Sequence, residues 1–600
     1  MRDDSMQAAR FGAFDPVLAA ILANRLDAIV REMSNTLLRA ARSAVINSGR
    51  DFSCAICTAD NRLLATAEGL PVHIFGSHLQ TKAMCELHPD LAEGDCFLHN
   101  DVYLGNTHLA DHMFLAPVFV DGEHLFTACT KAHQADIGNS IPTTYHPGAR
   151  DVYEEGSLVF PCVRVQRDYR TIEDIVRMCR ARIRVPEQWH GDFLAGIGSV
   201  RIGERRLREL AAKHGVATLK SFVEAWFDYS EARMVQAIRK LPKARLVNTG
   251  RHDPLPPILP DGIPLKVEIA IDPEAAAIEL DLRDNIDCVD CGLNESEACT
   301  INNVLTGVFN CLDPDVPHNA GSFRRLKLRL RENAVVGIPR FPHSCSVATT
   351  NVGDRLVNAT QAAFAQLGEG WGLAEGGSSM GVGYAVVSGR DRRQGGRLFI
   401  NQLVVSSNGG PAGPVADGWV TYGLPVVAGA MYRDSIELDE IKHPILFREF
   451  RLLPGSGGAG RWRGAPAAHY VYGPLHDPMT VVILGDGMVN PPKGVLGGED
   501  GARAVFYRLA SDGTRTALGN GTRLELRPGE WVGGSDNGGG GYGNPLSRPP
   551  ERVLHDVNER WETANRASAV YGVVLRRASD GAYALDLAAT ERARRAAEPR

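Results

Sequence analysis

What the 600-residue chain lacks bounds it first. No apolar run approaches the roughly 18–20 residues that a helix needs to cross a bilayer, so no helical membrane span is expected. There is no large basic block, and the formal net charge is -6, which argues against nucleic acid and anionic membranes as partners. No G-x-x-x-x-G-K-[ST] stretch occurs, so a P-loop is not expected and nucleotide chemistry is expected on a partner chain. Met1-Arg2-Asp3-Asp4-Ser5 lacks a basic segment followed by an apolar one, which is not the pattern of a secretory signal, and a cytoplasmic protein is expected. No cysteine follows Cys345, and in a long intracellular chain the twelve earlier ones are expected to be reduced core thiols rather than a disulfide framework.

What is there is a soluble-type composition, 44% hydrophobic and 23% charged, spread over a length too great for one core. Asp15-Pro16 reads as a helix start, and Leu18, Ile21, Leu22, Leu26, Ile29, Val30, Met33, Leu37 and Leu38 then recur at helical spacing. Residues 51–66 change to a strand period and predict a hairpin turning at Asp60-Asn61. Helical patterning returns over 169–181 and 200–240. A proline-rich stretch, 253–262, marks a candidate boundary, followed by two strands at 266–271 and 277–282. From about Leu356 glycine clusters punctuate short strands and suggest tight turns. A last helix is expected over 550–571, with a fraying end after Thr590. The fold class expected is a mixed α/β (α+β), multidomain protein. An N-terminal α+β metal-site domain (1–248) is followed by a middle α+β domain (249–355) and a glycine-rich, mainly β domain (356–530). Residues 531–600 hold a glycine-rich loop, a C-terminal helix and a tail.

Chemistry concentrates in Asn106-Thr107-His108-Leu109-Ala110-Asp111 and Lys131-Ala132-His133-Gln134-Ala135-Asp136. Two imidazoles and a carboxylate suit a divalent cation with an open position. His108 and Asp111 are close enough in sequence for one turn to direct both to one side, and a strand out and a strand back would return His133 to them. Asp51 and Asp136 are the further carboxylates within reach. An ion held there could acidify water or steady an anionic oxygen, with Glu154 and Glu155 as candidate general bases or orienting groups. The alternative is that all of these are ordinary polar loop residues. His73, His78, His99 and His112 are each read as core or surface histidines, one of which could support the ligands.

Other motifs carry less. Gly455 to Gly460 fits G-x-G-x-x-G but lacks the flanking strand and helix, and Gly377-Ser378-Ser379-Met380-Gly381 fits a nucleophile elbow without its context. Cys54-x-x-Cys57 and Cys288-x-x-Cys291 lie in strand-like surroundings where residues three apart face opposite ways.

As a set, several segments resemble the hydantoinase B/5-oxoprolinase family. They are Asp51-Phe52-Ser53-Cys54-Ala55, Pro71-Val72-His73, 100–111, 132–138, Tyr153-Glu154-Glu155-Gly156, 455–464 and Gly538 to Pro545. That family comprises second subunits of ATP-dependent hydantoin and lactam hydrolases, together with the metal-bearing subunit of acetone and acetophenone carboxylases. The resemblance implies that His108, Asp111 and His133 hold the metal, zinc or manganese, and that an acid placed like Asp51 joins them in some members. It implies a hetero-oligomer whose hydantoinase A-like partner binds ATP and activates the small-molecule substrate. Two features depart from the hydrolase pattern: the long Asn408 to Gly418 segment, and Asp434 to Glu440, which looks closer to the carboxylase branch. A ketone carboxylase subunit is therefore the nearest alternative to a cyclic-amide hydrolase, and a non-catalytic scaffold is the alternative of another class.

Overall fold

Asp15 accepts the backbone N–H groups of Val17 and Leu18 and starts helix α1 (Pro16–Ala40) in the computed structural model, which describes residues 14–66, 69–579 and 581–597. The expectation for Met1 to Ser5 lies outside the described residues. Leu22, Leu26, Ile29, Val30, Met33 and Leu37 form the buried stripe of α1, while Ile21 is exposed. The stripe packs with helices α2 (Pro186–His214) and α3 (Val216–Ile238). Helix α2 begins well before the position that periodicity suggested, because Trp189 and Phe193 in its first turns belong to the core.

These helices cover one face of a seven-stranded sheet of order β2-β1-β5-β4-β3-β6-β7. Its strands are β1 (Phe52–Thr58), β2 (Leu63–Thr66), β3 (Cys96–His99), β4 (Asp111–Val120), β5 (Glu123–His133), β6 (Val163–Arg167) and β7 (Arg170–Thr171). All neighbours run antiparallel, and the β1–β2 hairpin expected at 51–66 is present. Side chains alternate across a strand. Cys54, Ile56, Phe114, Ala116, Val118 and Ala128 therefore face the helices, which leaves Asp111, Ser53, Lys131 and His133 on the other face. All twelve cysteines are free thiols.

A four-stranded sheet follows, with β8 (Ala244–His252), β9 (Ile263–Asp272), β10 (Ala277–Asp281) and β11 (Leu326–Arg329) in the order β11-β10-β9-β8. The two strands expected at 266–271 and 277–282 pair antiparallel as β9 and β10. Helix α4 (Glu297–Phe309) lies between β10 and β11 in sequence. The chain divides into two units: Met1–Val247 with Lys266–Gly353 and Ile400–Gln402, and Asn248–Leu265 with Asp354–Phe399 and Leu403–Arg600. The 249–355 segment is thus shared between the units, and 531–600 belongs with the second.

Two further sheets are formed by β12 (Val386–Asp391), β13 (Arg397–Gln402), β14 (Ile445–Leu452), β15 (Ala468–Pro474), β16 (Met479–Ile483), β17 (Val505–Leu509), β18 (Arg515–Ala517), β19 (Thr522–Leu526) and β20 (Trp531–Ser535), in the orders β13-β12-β16-β19 and β14-β15-β20-β17-β18. Val387, Met479, Val481, Ile483 and Leu526 from one and Tyr470, Tyr472, Phe506 and Val532 from the other share a core. The glycine clusters are not chiefly turns. Gly538, Gly539, Gly540 and Gly541 donate in succession to the carbonyls of Ala502 (3.2 Å), Ala465 (3.0 Å), Glu375 (2.8 Å) and Glu499 (2.9 Å). The first and fourth reach the same neighbouring segment, so the hydrogen-bonding direction repeats every third residue. That is the period of an extended, PPII-like strand, which has no internal hydrogen bonds to offer. A Cβ at Gly539 would collide with the Gly410 carbonyl, one at Gly540 with that of Lys493, and one at Gly541 with that of Ala459. Close backbone approach from several sides demands glycine here.

The C-terminal part also differs from expectation. The helix expected over 550–571 is two, Pro550–Asn558 and Ala564–Ala569, broken at Arg560 (φ 60) and restarted by the Thr563 side chain capping Arg566 N–H. The chain after Thr590, expected to fray, continues a helix, Leu587–Ala597, whose Thr590 is buried and accepts the Val574 N–H.

Candidate metal centre

The β4–β5 hairpin sets Asp111 directly opposite His133, and the His133 N–H donates to the Asp51 carbonyl at 3.0 Å. Three strand ends therefore deliver Asp51, Asp111 and His133 to one corner of the sheet. His108 comes from the tight turn before β4. The Asn106 side-chain amide bonds the carbonyls of both His108 (2.8 Å) and Asp111 (2.9 Å), and the Asp111 N–H closes the turn onto the His108 carbonyl at 3.2 Å.

His108 Nε2, His133 Nδ1 and Asp111 Oδ1 form a triangle with edges of 2.9, 3.1 and 3.2 Å, and all three side chains are buried. A carbonyl behind His108 sets the tautomer of its neutral ring. His108 Nδ1 donates to the Ser346 carbonyl at 3.0 Å, which leaves the Nε2 lone pair pointing inward. His133 Nε2 meets the Thr144 hydroxyl at 3.0 Å. Tyr145 stacks on the His133 ring at 5.3 Å, and its hydroxyl receives the Gln402 amide at 3.4 Å. With both rings neutral and these lone pairs turned inward, the three acceptors repel one another unless a positive charge, a proton or a metal cation, lies among them. A divalent ion would be held here by His108 Nε2, His133 Nδ1 and Asp111 Oδ1. The donor set and its geometry therefore fit a divalent cation, and this is the cluster of metal-ligating side chains found among the described residues.

Charges at the site follow the same logic. Burial works against the Asp111 carboxylate, yet the imidazoles of His108 and His73 hold it well below the usual carboxylate range. Burial likewise opposes charge on His108, but Asp111 raises it above its ordinary value. At Asp51 burial wins and pushes the carboxyl up. Burial lowers Lys131 to about 8; its ammonium lies 3.4 Å from the Thr107 hydroxyl, which in turn donates to Asp111 Oδ2 at 2.5 Å.

The other candidates separate. Glu155 is buried and accepts from the Ser344 hydroxyl at 2.8 Å, beside the Ser346 carbonyl that holds His108. Glu154 is bound to Arg150, whose hydrogen bonds hold it at about 2, and it lies away from the triangle. Asp136 is committed to Arg184, at 2.8 Å from its guanidinium. His99 accepts the Cys162 N–H on Nδ1 at 3.1 Å and donates from Nε2 to the Leu104 carbonyl at 3.2 Å, and His112 packs edge-on against Phe160 and Trp189; burial lowers them to about 4 and about 3. His73 is the histidine that approaches the cluster, 3.3 Å from Asp111 Oδ2. Thr144, Tyr145 and Ser346 arrive from loops and Gln402 from the end of the strand Arg397–Gln402, none with a motif, so no local pattern could have flagged them.

The fold and site define an α/β protein with a deeply buried His–Asp–His cluster at the end of an antiparallel sheet. The profile of the Hydantoinase B/oxoprolinase family matches residues 15–545, and the chain belongs to that family. It is 30% identical over 591 residues to caprolactamase subunit beta of Pseudomonas jessenii, covering 96% of this chain and 98% of the relative. The crystal structure of the ATP-dependent caprolactamase from Pseudomonas jessenii superposes with a TM-score of 0.87 at 26% identity, covering 97% of this chain and 100% of that one. A nucleotide-free acetone carboxylase structure shares the fold with a TM-score of 0.85 at 19% identity, covering 98% of this chain and 84% of the other.

Proposed function

We propose that this chain is the metal-binding catalytic subunit of an ATP-dependent cyclic-amide hydrolase acting on a lactam, hydantoin or 5-oxoproline ring. His108, Asp111 and His133 hold the ion, zinc or manganese, and Asp51, whose carbonyl takes the His133 N–H, is the acid placed to join them. The observation that carries the proposal is the buried triangle of inward-facing acceptors in a chain similar along its length to a caprolactamase subunit. When bound, a divalent ion supplies Lewis acidity toward an oxygen of the opening ring or of water.

The protein's own groups do the rest. The Ser346 carbonyl and the Thr144 hydroxyl orient the two imidazoles. Glu155, through Ser344, steadies the loop that carries Ser346, and it is the better placed of the two glutamates to support proton transfer; Glu154 is neutralised by Arg150. ATP binds to a partner subunit, which activates the amide, since an amide carbonyl is a poor electrophile. The assembly is a cytoplasmic hetero-oligomer.

The test uses the chain with its ATP-binding partner. Wild-type complex contains about one divalent ion per chain and opens a cyclic amide with ATP, without bicarbonate. His108→Ala and His133→Ala each lose the ion and at least ~100-fold of the turnover. Variants that keep metal and activity would overturn the site. Turnover of a ketone that needs bicarbonate would move the chain to the carboxylase branch, and a metal-free, inactive wild type would make it a scaffold.

A further inference from the structure

Asp111 uses its two carboxylate oxygens differently. Oδ1 faces His108 Nε2 at 2.9 Å and His133 Nδ1 at 3.2 Å, on the inner side of the triangle. Oδ2 is turned outward, accepts the Thr107 hydroxyl at 2.5 Å, and lies 3.3 Å from His73 Nε2. The same His73 nitrogen is 3.6 Å from Asp51 Oδ1. One imidazole edge thus lies beside both acids of the centre, on a ring that is only 2% exposed.

The surroundings fix how His73 presents itself. Its Nδ1 is 3.3 Å from the Ser53 hydroxyl, which also accepts the Leu70 N–H at 2.8 Å. With carboxylate oxygens ahead of Nε2, the proton of a neutral ring belongs on Nε2, and Nδ1 is left as an acceptor beside the Ser53 hydroxyl, whose proton it shares with the Leu70 carbonyl at 3.4 Å. The backbone around the ring is equally constrained. Pro71 opens the one-turn helix Pro71–Ile74, and Asn302 of α4 bonds the Gly76 N–H at 2.6 Å and the Val72 carbonyl. A Cβ at Gly69 would stand 2.8 Å from the Ser53 hydroxyl, so the loop is pressed against β1.

We propose that His73 is a positioning residue that stands beside both acids and, at the outward oxygen of Asp111, restricts Asp111 to one ligand oxygen. The proposal rests on the metal reading above. Without His73, Asp111 can turn and offer both oxygens, and Asp51 loses the polar neighbour that faces its buried carboxylate. Groups that orient ligands from behind act on affinity and coordination number rather than on the presence of the site. Ser53 acts one step further out, through the tautomer of His73.

The experiment uses the full-length chain and Co2+ as the probe, with affinity from chelator competition and coordination from visible absorption. Wild type is expected to bind one Co2+ with the intense bands of a low-coordinate ion. His73→Ala is expected to bind ~10–100-fold more weakly, with weakened bands as a carboxylate becomes bidentate. His73→Gln, whose amide nitrogen stands near the Nε2 position, is expected to recover most of both losses, and Ser53→Ala to show a smaller shift in the same direction. The Ser53 variant carries the test if His73→Ala does not fold. Wild-type affinity and spectrum in His73→Ala would overturn the proposal, as would equal loss in the alanine and glutamine variants, which would make the ring mere packing. A wild type that binds no Co2+ sinks the metal reading itself, before any variant is compared.

Discussion

Glu154 and Asp536 are both acids, and their surroundings drive them in opposite directions. Hydrogen bonds from Arg150 hold the surface Glu154 at about 2. Asp536 is buried in the second unit, and burial pushes it up to about 6, although the Ser406 hydroxyl (2.6 Å) and the Ser407 N–H (3.2 Å) oppose the shift. A folded value above the unfolded one means that Asp536 binds its proton more tightly in the native state. Its stabilising contribution is fully present below ~4 and is lost as pH rises through about 6. Asp536→Asn should therefore flatten the pH profile. The stability difference between variant and wild type should change by up to ~3 kcal/mol between about pH 4 and about pH 7, with wild type relatively favoured at the acid end. Urea unfolding of both proteins across that range checks it; parallel profiles would show that Asp536 titrates normally. No motif in the sequence marks this residue, because its shift comes from the neighbours that the fold brings to it.

At the level of elements, periodicity carried α1 and the β1–β2 hairpin, where local pattern and tertiary burial agree. It fell short at α2, whose early Trp189 and Phe193 needed the sheet behind them to be recognised as core. The glycine segments were read as turns because composition cannot show what lies around a backbone. Their hydrogen bonds pass between segments far apart in sequence, such as Gly540 to Glu375. This has a measurable consequence. In Gly539→Ala the new methyl meets the Gly410 carbonyl, a backbone atom that cannot rotate away. The substitution should destabilise the second unit by more than the ~1–3 kcal/mol usual for overpacking a side-chain core. Limited proteolysis and thermal unfolding should show that unit failing first; a wild-type melting profile would mean the segments can separate at little cost.

For the whole molecule, the relevant facts are what the chain holds and what it leaves to others. Among the described residues no helix is long and apolar enough to cross a membrane. The sequence has no P-loop, and its similar relative is named as a subunit. On the proposed function, the isolated chain should show no saturable ATP binding by calorimetry, with binding appearing only in a complex with the proposed ATP-binding subunit. Micromolar ATP binding by the chain alone would contradict that division of labour.

The sequence by itself determined the family, helix α1, the β1–β2 hairpin and which three side chains cluster at the sheet end, because these rest on residue types and short spacings. The tertiary structure alone decided that Asp111 and His133 face each other across β4 and β5, that Glu155 rather than Glu154 turns toward the loop holding His108, and that His73 stands between two acids. Each of those depends on strand register or on loops from remote parts of the chain. A one-residue slip of register would send the same side chains to the opposite face, so local spacing could not settle them.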